Sequence, residues 1–184
     1  MDFKYKYSFI GKDFDNHDKN YDYIKNLNKD NKDNKHIKCI ICGDTNVGKT
    51  HILDIMTNQL NDKNTIVSDY RYFQNFQILD IGGDKKYRNV INNYFNDKIN
   101  VVIIVFDYSN KESIIDIHNW LLKCNNQYIF LIGTNFTDNE KLEINLDYKK
   151  YNIMKIFNIK KFIIDDCSKI FDDIKSFYTI FNQK

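Results

Sequence analysis

The sequence contains no proline, only 6 glycines and just two arginines, Arg71 and Arg88. Lysine, asparagine, aspartate, isoleucine and tyrosine replace the missing residue types, as expected of an AT-rich coding sequence. This bias reflects nucleotide composition and carries little information about function. The net charge is only +2, so the sequence does not predict a strong electrostatic field for nucleic acid or an anionic membrane.

Long apolar segments are also missing. The longest aliphatic run, Val101 to Phe106, is too short to span a bilayer, and the N-terminal MDFKYKYSFIGKDF lacks the apolar core of a signal peptide. A length of 184 residues with 42% hydrophobic residues suits one domain with a substantial core. We therefore expect a cytoplasmic protein with no transmembrane segment.

Cysteine is scarce as well, with 4 in the chain. Cys39 and Cys42 have the C-x-x-C spacing of some metal sites, but residues three apart on a strand face opposite sides of the sheet. The sequence therefore predicts buried free thiols in a reducing compartment.

The most informative stretch is HIKCIICGDTNVGKTHILDIM, residues 36–56. An apolar strand precedes the motif G-x-x-x-x-G-K-T, and apolar residues at helical spacing follow it, which is the context that confirms this motif. Its backbone N–H groups form an anion-binding concavity, its lysine reaches the β- and γ-phosphates, and its threonine hydroxyl ligates Mg²⁺. A helix that opens at Lys49 points its positive end at the same phosphates. The predicted phosphate-binding residues are Gly43, Asp44, Thr45, Asn46, Val47, Gly48, Lys49 and Thr50.

The remaining chain alternates predicted strands and helices. Residues 65–72 and 75–81 are typical of a hairpin, VVIIVFD and YIFLIG of buried parallel strands, and the last helix presents Ile170, Phe171 and Ile174 on one face. We also predict a helix through Tyr148, Tyr151 and Met154, followed by a strand at KKFIID. This alternation predicts an α/β fold with a parallel sheet and ligands at the carboxyl ends of the strands.

Residues 1–35 form a separate N-terminal extension in this interpretation, and residues 36–184 form the domain. Phe3, Tyr5, Tyr7 and Phe9 alternate with polar residues, which is the period of a half-buried strand. The polar stretch NLNKDNKDNK that follows is typical of a linker or a frayed helix end.

From His36 onward the chain resembles the small Ras-like GTPases, most closely the Rab branch. The loop GDTNVGKT is similar to a Rab P-loop, and DKKYRNVINNYFNDKINVVIIVFDYSNKESIIDIHNWL follows the Rab order of QERYRSL, an aliphatic strand, YDITN, ESF and WL. The resemblance implies a P-loop G domain with a mostly parallel six-stranded sheet flanked by helices. It also implies a GTP/GDP switch with Mg²⁺, and protein effectors and regulators that bind the switch loops.

The resemblance implies three residues around the metal. Thr50 is a direct ligand, and Asp80, which heads the D-x-x-G motif, holds Mg²⁺ through water. Thr65 is the candidate for the switch I threonine, although Ser68 lies close by and Thr65 also fits as a simple β-strand residue.

The same motif places two further residues at the γ-phosphate. Gly83 offers its N–H to this phosphate. Asp84 stands where the family has its water-orienting glutamine, so we expect slow GTP hydrolysis, with Lys49 as the other catalytic residue.

The base-recognition motif N-K-x-D of the family is altered. In one alignment Asn135 and Asp138 keep the spacing, Asp138 accepts hydrogen bonds from guanine, and Phe136 stacks on the base in place of the lysine. In a competing alignment Thr134, Asn135 and Thr137 form a degenerate motif that does not recognise guanine.

The segment DCSK, residues 166–169, is similar to a shortened form of the family's last base loop. This similarity implies that Ser168 and Lys169 lie near the base, although a helix cap explains Ser168 equally well.

The Rab C-terminus carries prenylated cysteines, whereas the last cysteine here is Cys167. We therefore expect no prenyl anchor and, at most, peripheral membrane attachment through partners.

Two other functions compete with a GTPase switch. A pseudo-GTPase that presents a fixed surface is favoured by the altered positions Asp84, Lys85 and Phe136. A small nucleotide kinase is disfavoured, because such enzymes clamp phosphoryl groups with arginines and neither Arg71 nor Arg88 lies in a recognisable lid.

Overall fold

A computed structural model describes residues 36–57, 68–137, 146–147, 150–160 and 162–182. The predicted N-terminal extension, residues 1–35, lies outside these ranges. The described strands are β1 (Ile37–Gly43), β2 (Ser68–Phe73), β3 (Phe76–Ile81), β4 (Val101–Asp107), β5 (Tyr128–Thr134) and β6 (Ile153–Asn158). The described helices are α1 (Lys49–Thr57), α2 (Arg88–Ile91, between 3₁₀ turns at Lys85–Tyr87 and Asn92–Tyr94), α3 (Lys111–Leu121) and α4 (Ile164–Asn182).

The strands form one six-stranded sheet in the order β2-β3-β1-β4-β5-β6. Every neighbouring pair is parallel except the β2–β3 hairpin, where Ser68 pairs with Ile81 and Phe73 with Phe76. The predicted mostly parallel sheet is therefore confirmed. Strands β3, β1, β4 and β5 are neighbours and run parallel, so the loops that follow them lie at the same edge of the sheet.

Two apolar clusters cover the two faces of the sheet. One contains alternate residues of the central strands together with Ile52 of α1 and Phe171 of α4, and the other contains the intervening residues with Ile91 and Trp120. Strands buried on both faces need continuous apolar runs, which explains the aliphatic sequences of β4 and β5. The helices therefore form layers on both sides of the sheet.

Cys39 and Cys42 belong to opposite clusters, as the period of two requires. All four cysteines are free, which confirms the prediction of free thiols. Burial raises the pKa of the Cys124 thiol to about 12 and that of Cys167 to about 11, and it raises the pKa of Cys39 further.

These thiols predict a loss of stability in alkali. A buried thiol whose pKa exceeds its ordinary 9.0 stays protonated in the folded state while the unfolded state ionises, so its stabilising contribution is complete below pH 9 and is lost above it. We expect Cys39→Ala to remove a slope of about 1.4 kcal/mol per pH unit from the free energy of unfolding above pH 9. Urea titrations of both proteins at pH 8, 9, 10 and 11 measure this slope, and the comparison cancels other titrating groups. Parallel pH profiles would contradict the prediction.

The prediction for the segment before the last helix is wrong. Tyr151 lies in a turn, Met154 lies in β6 rather than in a helix, and Tyr148 is outside the described residues. Residues 160–165 form no strand in their described part, because Ile164 already begins α4. The prediction failed because Lys155 interrupts the apolar pattern of β6, so the pattern did not indicate a strand. In the structure this lysine forms an ion pair of 2.7 Å with Asp173 of α4.

No helix within the described ranges has both the length and the apolar composition needed to cross a membrane.

Candidate phosphate-binding site

The segment Gly43–Thr50 turns sharply between β1 and α1. Gly43 lies so close to β4 that a Cβ atom there would meet the carbonyl oxygen of Val105 at 2.0 Å. Asn46 and Gly48 both have positive φ angles, 60° and 95°, which asparagine and glycine tolerate better than other residues. A loop of this conformation directs successive backbone N–H groups inward and forms an anion-binding concavity.

Lys49 is the cation of this loop. Its side chain is almost fully buried, and its Nζ donates a hydrogen bond of 2.6 Å to the backbone carbonyl of Asp44, across the mouth of the loop. Burial lowers the pKa of Lys49, and the carboxylates of Asp80 and Asp44 partly oppose this shift. A bound polyphosphate would supply the negative charge that favours the ammonium form.

Thr50 and Asp80 face each other at the start of α1. The Thr50 Oγ1 donates a hydrogen bond of 2.8 Å to Oδ2 of Asp80, and Asp80 is fully buried at the end of β3. A hydroxyl and a carboxylate are the oxygen donors that Mg²⁺ prefers, and Mg²⁺ completes its shell with water and phosphate. The donor set therefore fits a magnesium ion held jointly with a nucleotide.

Gly83 closes the same edge of the loop. A Cβ atom at Gly83 would lie 2.3 Å from the backbone carbon of Asp44 and 2.4 Å from the backbone nitrogen of Thr45. Only glycine permits this approach between the segment after β3 and the phosphate loop. Gly83 thus lies directly against the P-loop, where the sequence predicts the γ-phosphate.

Asp84 caps the 3₁₀ turn at 85–87. Its Oδ1 accepts a hydrogen bond of 3.0 Å from the backbone N–H of Lys86, and its Oδ2 lies 2.8 Å from the Lys86 Nζ. The hydrogen bond from the Lys86 side chain, supported by the backbone bond, lowers the pKa of Asp84. Both carboxylate oxygens therefore have partners in the chain's own helix.

These segments enclose a cleft of about 550 Å³. Its lining residues are Thr45, Asn46, Gly48, Lys49, Thr50, His51, Gly82, Gly83, Asp84, Lys86 and Tyr87.

The end of β5 lies on the other side of the P-loop. Thr134 is buried, and its hydroxyl lies 3.1 Å from the carbonyl oxygens of both Val47 and Phe106. Asn135 follows with φ of 53° and donates a side-chain hydrogen bond of 2.9 Å to Asp107. The residue that connects β5 to the P-loop by a side-chain hydrogen bond is thus Thr134, whereas the Asn135 side chain bonds to the end of β4.

Phe136 packs away from the P-loop. Its ring lies edge-on to Tyr108 with a centroid separation of 5.1 Å, within the cluster on the opposite face of the sheet from α1. The predicted stacking of Phe136 on a base is not supported by this position. Asp138, the predicted acceptor for guanine, and Thr65, the predicted switch I threonine, lie outside the described residues.

The predicted base loop at 166–169 is wrong, because these residues lie inside α4. Ser168 Oγ lies 4.0 Å from Met56 Sδ near the far end of α1, and Lys169 is exposed beside Asp166 and Asp173. The carboxylates Asp165 and Asp166 suit the first turn of a helix, which moves the helix start four residues ahead of Ser168.

The comparisons with known proteins agree with this geometry. A family model described as "Ras of Complex, Roc, domain of DAPkinase" matches residues 38–136, slightly more than half of the chain. The chain belongs to this Roc family of Ras-like GTPase domains.

Two curated Rab proteins are similar to this Ras-like domain. The "Ras-related protein RabV" of Dictyostelium discoideum is 33% identical over 118 residues, which cover 53% of the chain and 49% of RabV. The "Ras-related protein rab-39" of Caenorhabditis elegans is 23% identical over 159 residues, which cover 73% of the chain and 69% of rab-39. The chain thus spans about half the length of RabV.

One cluster of charged and aromatic side chains in this Ras-like domain was not predicted from the sequence. Arg88, in α2, donates hydrogen bonds from both terminal nitrogens to the carboxylate of Asp116 in α3, and its guanidinium lies 5.1 Å from the centre of the Trp120 ring. Its Nη2 is also 3.7 Å from Asp44 of the P-loop. Burial favours a higher pKa for Asp116, but the hydrogen bonds from Arg88 and Asn119 outweigh this effect, so the net pKa of Asp116 is lowered.

This arginine cluster joins the P-loop, the segment after Gly83 and α3. A signal was present in the sequence, since Arg88 ends the DKKYR segment that resembles QERYR. The partner aspartate, however, is 28 residues away, and only the fold brings it close.

Proposed function

We propose that this Ras-like domain binds GTP and GDP with Mg²⁺ and acts as a Rab-type molecular switch. The observation that carries the proposal is the contact between Thr50 and Asp80 beside the buried ammonium of Lys49. This arrangement places a metal-binding pair and a phosphate-binding cation at the same end of a glycine-containing loop.

The phosphate chain would lie along the loop, with the β- and γ-phosphates toward Lys49 and the segment after β3. Backbone N–H groups of residues 43–50 and of Gly83 would donate to phosphate oxygens, and Lys49 would pair with the β- and γ-phosphates. Mg²⁺, held by Thr50 and through water by Asp80, would neutralise the charge between these two phosphates. Thr65 is our proposed switch I ligand, and Asp138 our proposed acceptor for guanine.

The hydrolysis rate would be low in this proposal. The backbone N–H and the side chain of Lys86 each hold one oxygen of Asp84, so the carboxylate is oriented toward the 3₁₀ turn. It also has no N–H to offer the charge that develops on the γ-phosphate. The chain would therefore rest mainly in its GTP-bound form unless a regulator acts.

Protein effectors and regulators would contact the two switch segments, which we place around Thr65 and at residues 82–95. RabV and rab-39 are Ras-related proteins. From the resemblance to the Rab branch we also propose a role in vesicle trafficking, with peripheral membrane attachment through partners.

A second candidate is a pseudo-GTPase that holds nucleotide without efficient turnover. Two pairings favour it: Asp84 with Lys86, and Asn135 with Asp107, because each involves a residue at a position that normally serves nucleotide chemistry.

The nucleotide that accompanies the purified protein tests the proposal. We expect the full chain, purified without added nucleotide and then denatured, to release GDP or GTP in near-stoichiometric amount. Chromatography of the supernatant identifies the base. Release of adenine nucleotides would contradict the proposal, and the absence of nucleotide together with no GDP binding would favour a fixed binding module.

A further inference from the structure

Phe162 lies against the last glycine of the P-loop. A Cβ atom at Gly48 would meet the Phe162 ring at 2.7 Å, and the next neighbour, the methyl group of Thr134, at 3.7 Å. The ring also packs edge-on against the imidazole of His51, with centroids 4.7 Å apart. Three chain segments, from β5, the β6–α4 loop and α1, thus meet beside Gly48.

The order of the sheet fixes which end of the nucleotide reaches this place. Asp80 and Gly83 follow β3, on one side of β1, and they mark the metal and γ-phosphate end. Strands β5 and β6 lie on the opposite side of β1. A nucleotide whose γ-phosphate points toward β3 must therefore direct its nucleoside toward the ends of β5 and β6.

Backbone hydrogen bonds hold the β6–α4 loop at this end. Ile159 donates to the carbonyl of Gly133 over 2.7 Å, and Phe136 donates to the carbonyl of Ile159 over 3.1 Å. The loop that carries Phe162 is thereby attached to the end of β5, and the ring of Phe162 stays on the α1 side of the sheet, where it packs against that cluster.

The hydrogen-bonding groups at this end have other partners. The Thr134 hydroxyl bonds to Val47 and Phe106, and the Asn135 amide bonds to Asp107. Ring surfaces offer a second way to hold a base, because every base has a π-face and aromatic contacts tolerate different bases.

We propose that Phe162 and His51 form the wall against which the nucleotide base packs. This inference rests on the nucleotide binding proposed above and adds the residues that contact the base. The wall supplies affinity that guanine and adenine share, whereas any preference for guanine comes from hydrogen-bonding groups such as the proposed acceptor Asp138.

The test compares three ligands on the full chain by calorimetry: GDP, ADP and inorganic tripolyphosphate, each with Mg²⁺. We expect Phe162→Ala to lower the affinity for GDP and for ADP by the same factor, roughly fivefold, and to leave tripolyphosphate binding unchanged. Phe162→Tyr should keep the affinity for both nucleotides, whereas Phe162→Leu should lose most of it.

Phe177→Ala is the matched control, because Phe177 is a partly buried phenylalanine of the same apolar cluster that packs on Phe130 instead of the P-loop. It should change none of the three affinities. Unchanged GDP affinity in Phe162→Ala would overturn the inference, as would an equal loss of tripolyphosphate binding, since the ring would then support only the loop. A loss of GDP affinity in Phe136→Ala but not in Phe162→Ala would also overturn it.

Failure of the proposed nucleotide binding would give a different result from failure of the inference about Phe162. If the wild type binds neither GDP, ADP nor tripolyphosphate, the nucleotide-binding proposal itself fails and the inference about Phe162 falls with it. Binding of tripolyphosphate with equal nucleotide affinities in the wild type and Phe162→Ala rejects the inference alone.

Discussion

Replacement of Lys49 by alanine should lower the affinity for GDP by at least about a hundredfold. The buried ammonium donates a hydrogen bond to the backbone carbonyl of Asp44 across the mouth of the loop. It is the cation nearest to the proposed phosphates, with which it would form a charge pair. Truncation of one partner of a buried, hydrogen-bonded charge pair costs roughly 2–5 kcal/mol, and about 2.7 kcal/mol corresponds to a hundredfold change in affinity. Fluorescent GDP titrations at fixed Mg²⁺ measure this loss.

Lys98→Ala serves as the control, because Lys98 is an exposed lysine in the loop before β4 and does not line the cleft. It should bind GDP as the wild type does. Circular dichroism establishes whether Lys49→Ala stays folded. A folded Lys49→Ala protein with wild-type affinity would remove the phosphate-binding assignment of the loop.

Replacement of Asp84 by glutamine should raise the rate of single-turnover GTP hydrolysis about tenfold. Glutamine is neutral and long enough to hold the attacking water with its carbonyl while its N–H₂ group faces the γ-phosphate. The wild-type rate should be no faster than the order of 10⁻⁴ s⁻¹, which is typical of unassisted Ras-like GTPases. Phosphate release from protein preloaded with GTP, at equal Mg²⁺ and temperature, measures both rates.

Asp84→Asn separates charge from length, because it removes the ionised group and keeps the short side chain. We expect it to hydrolyse GTP more slowly than Asp84→Gln, since correct placement of water requires the longer side chain. A wild type that is faster than Asp84→Gln would show that this chain positions water by another route, and the slow-hydrolysis proposal would then be abandoned.

The central part of the fold was predictable because its signals are local. The strand β1, the loop and the start of α1 follow one another in 14 residues, from Ile37 to Thr50, and each has a distinct residue pattern. The aliphatic runs of β4 and β5 predict strands buried on both faces, and the structure confirms them. The conformation of the loop between β1 and α1 was predictable for the same reason, since residues 43–50 form a single continuous motif.

The proposed base end was not predictable, because its residues come from separate segments. Lys155 interrupts the apolar pattern of β6, so the strand was assigned to the next apolar run and the helix start moved with it. Because of this shift, Ser168 was predicted to contact the base, and Phe162 was not considered. The position of Phe162 depends on its packing against Gly48. Arg88 and Asp116 were missed as a pair for a related reason, because no spacing rule connects them.

The close approach of Gly43 to β4 has a consequence for the evolutionary history of such chains. Any larger residue at position 43 would collide with the Val105 carbonyl in the centre of the sheet, whether or not a nucleotide is present. Selection for folding alone would therefore retain this glycine after catalysis had been lost. The residue at position 43 therefore does not distinguish a working enzyme from a descendant that no longer hydrolyses nucleotide. Position 84 has no such packing constraint on its exposed side, so its residue can change as soon as selection for hydrolysis is relaxed.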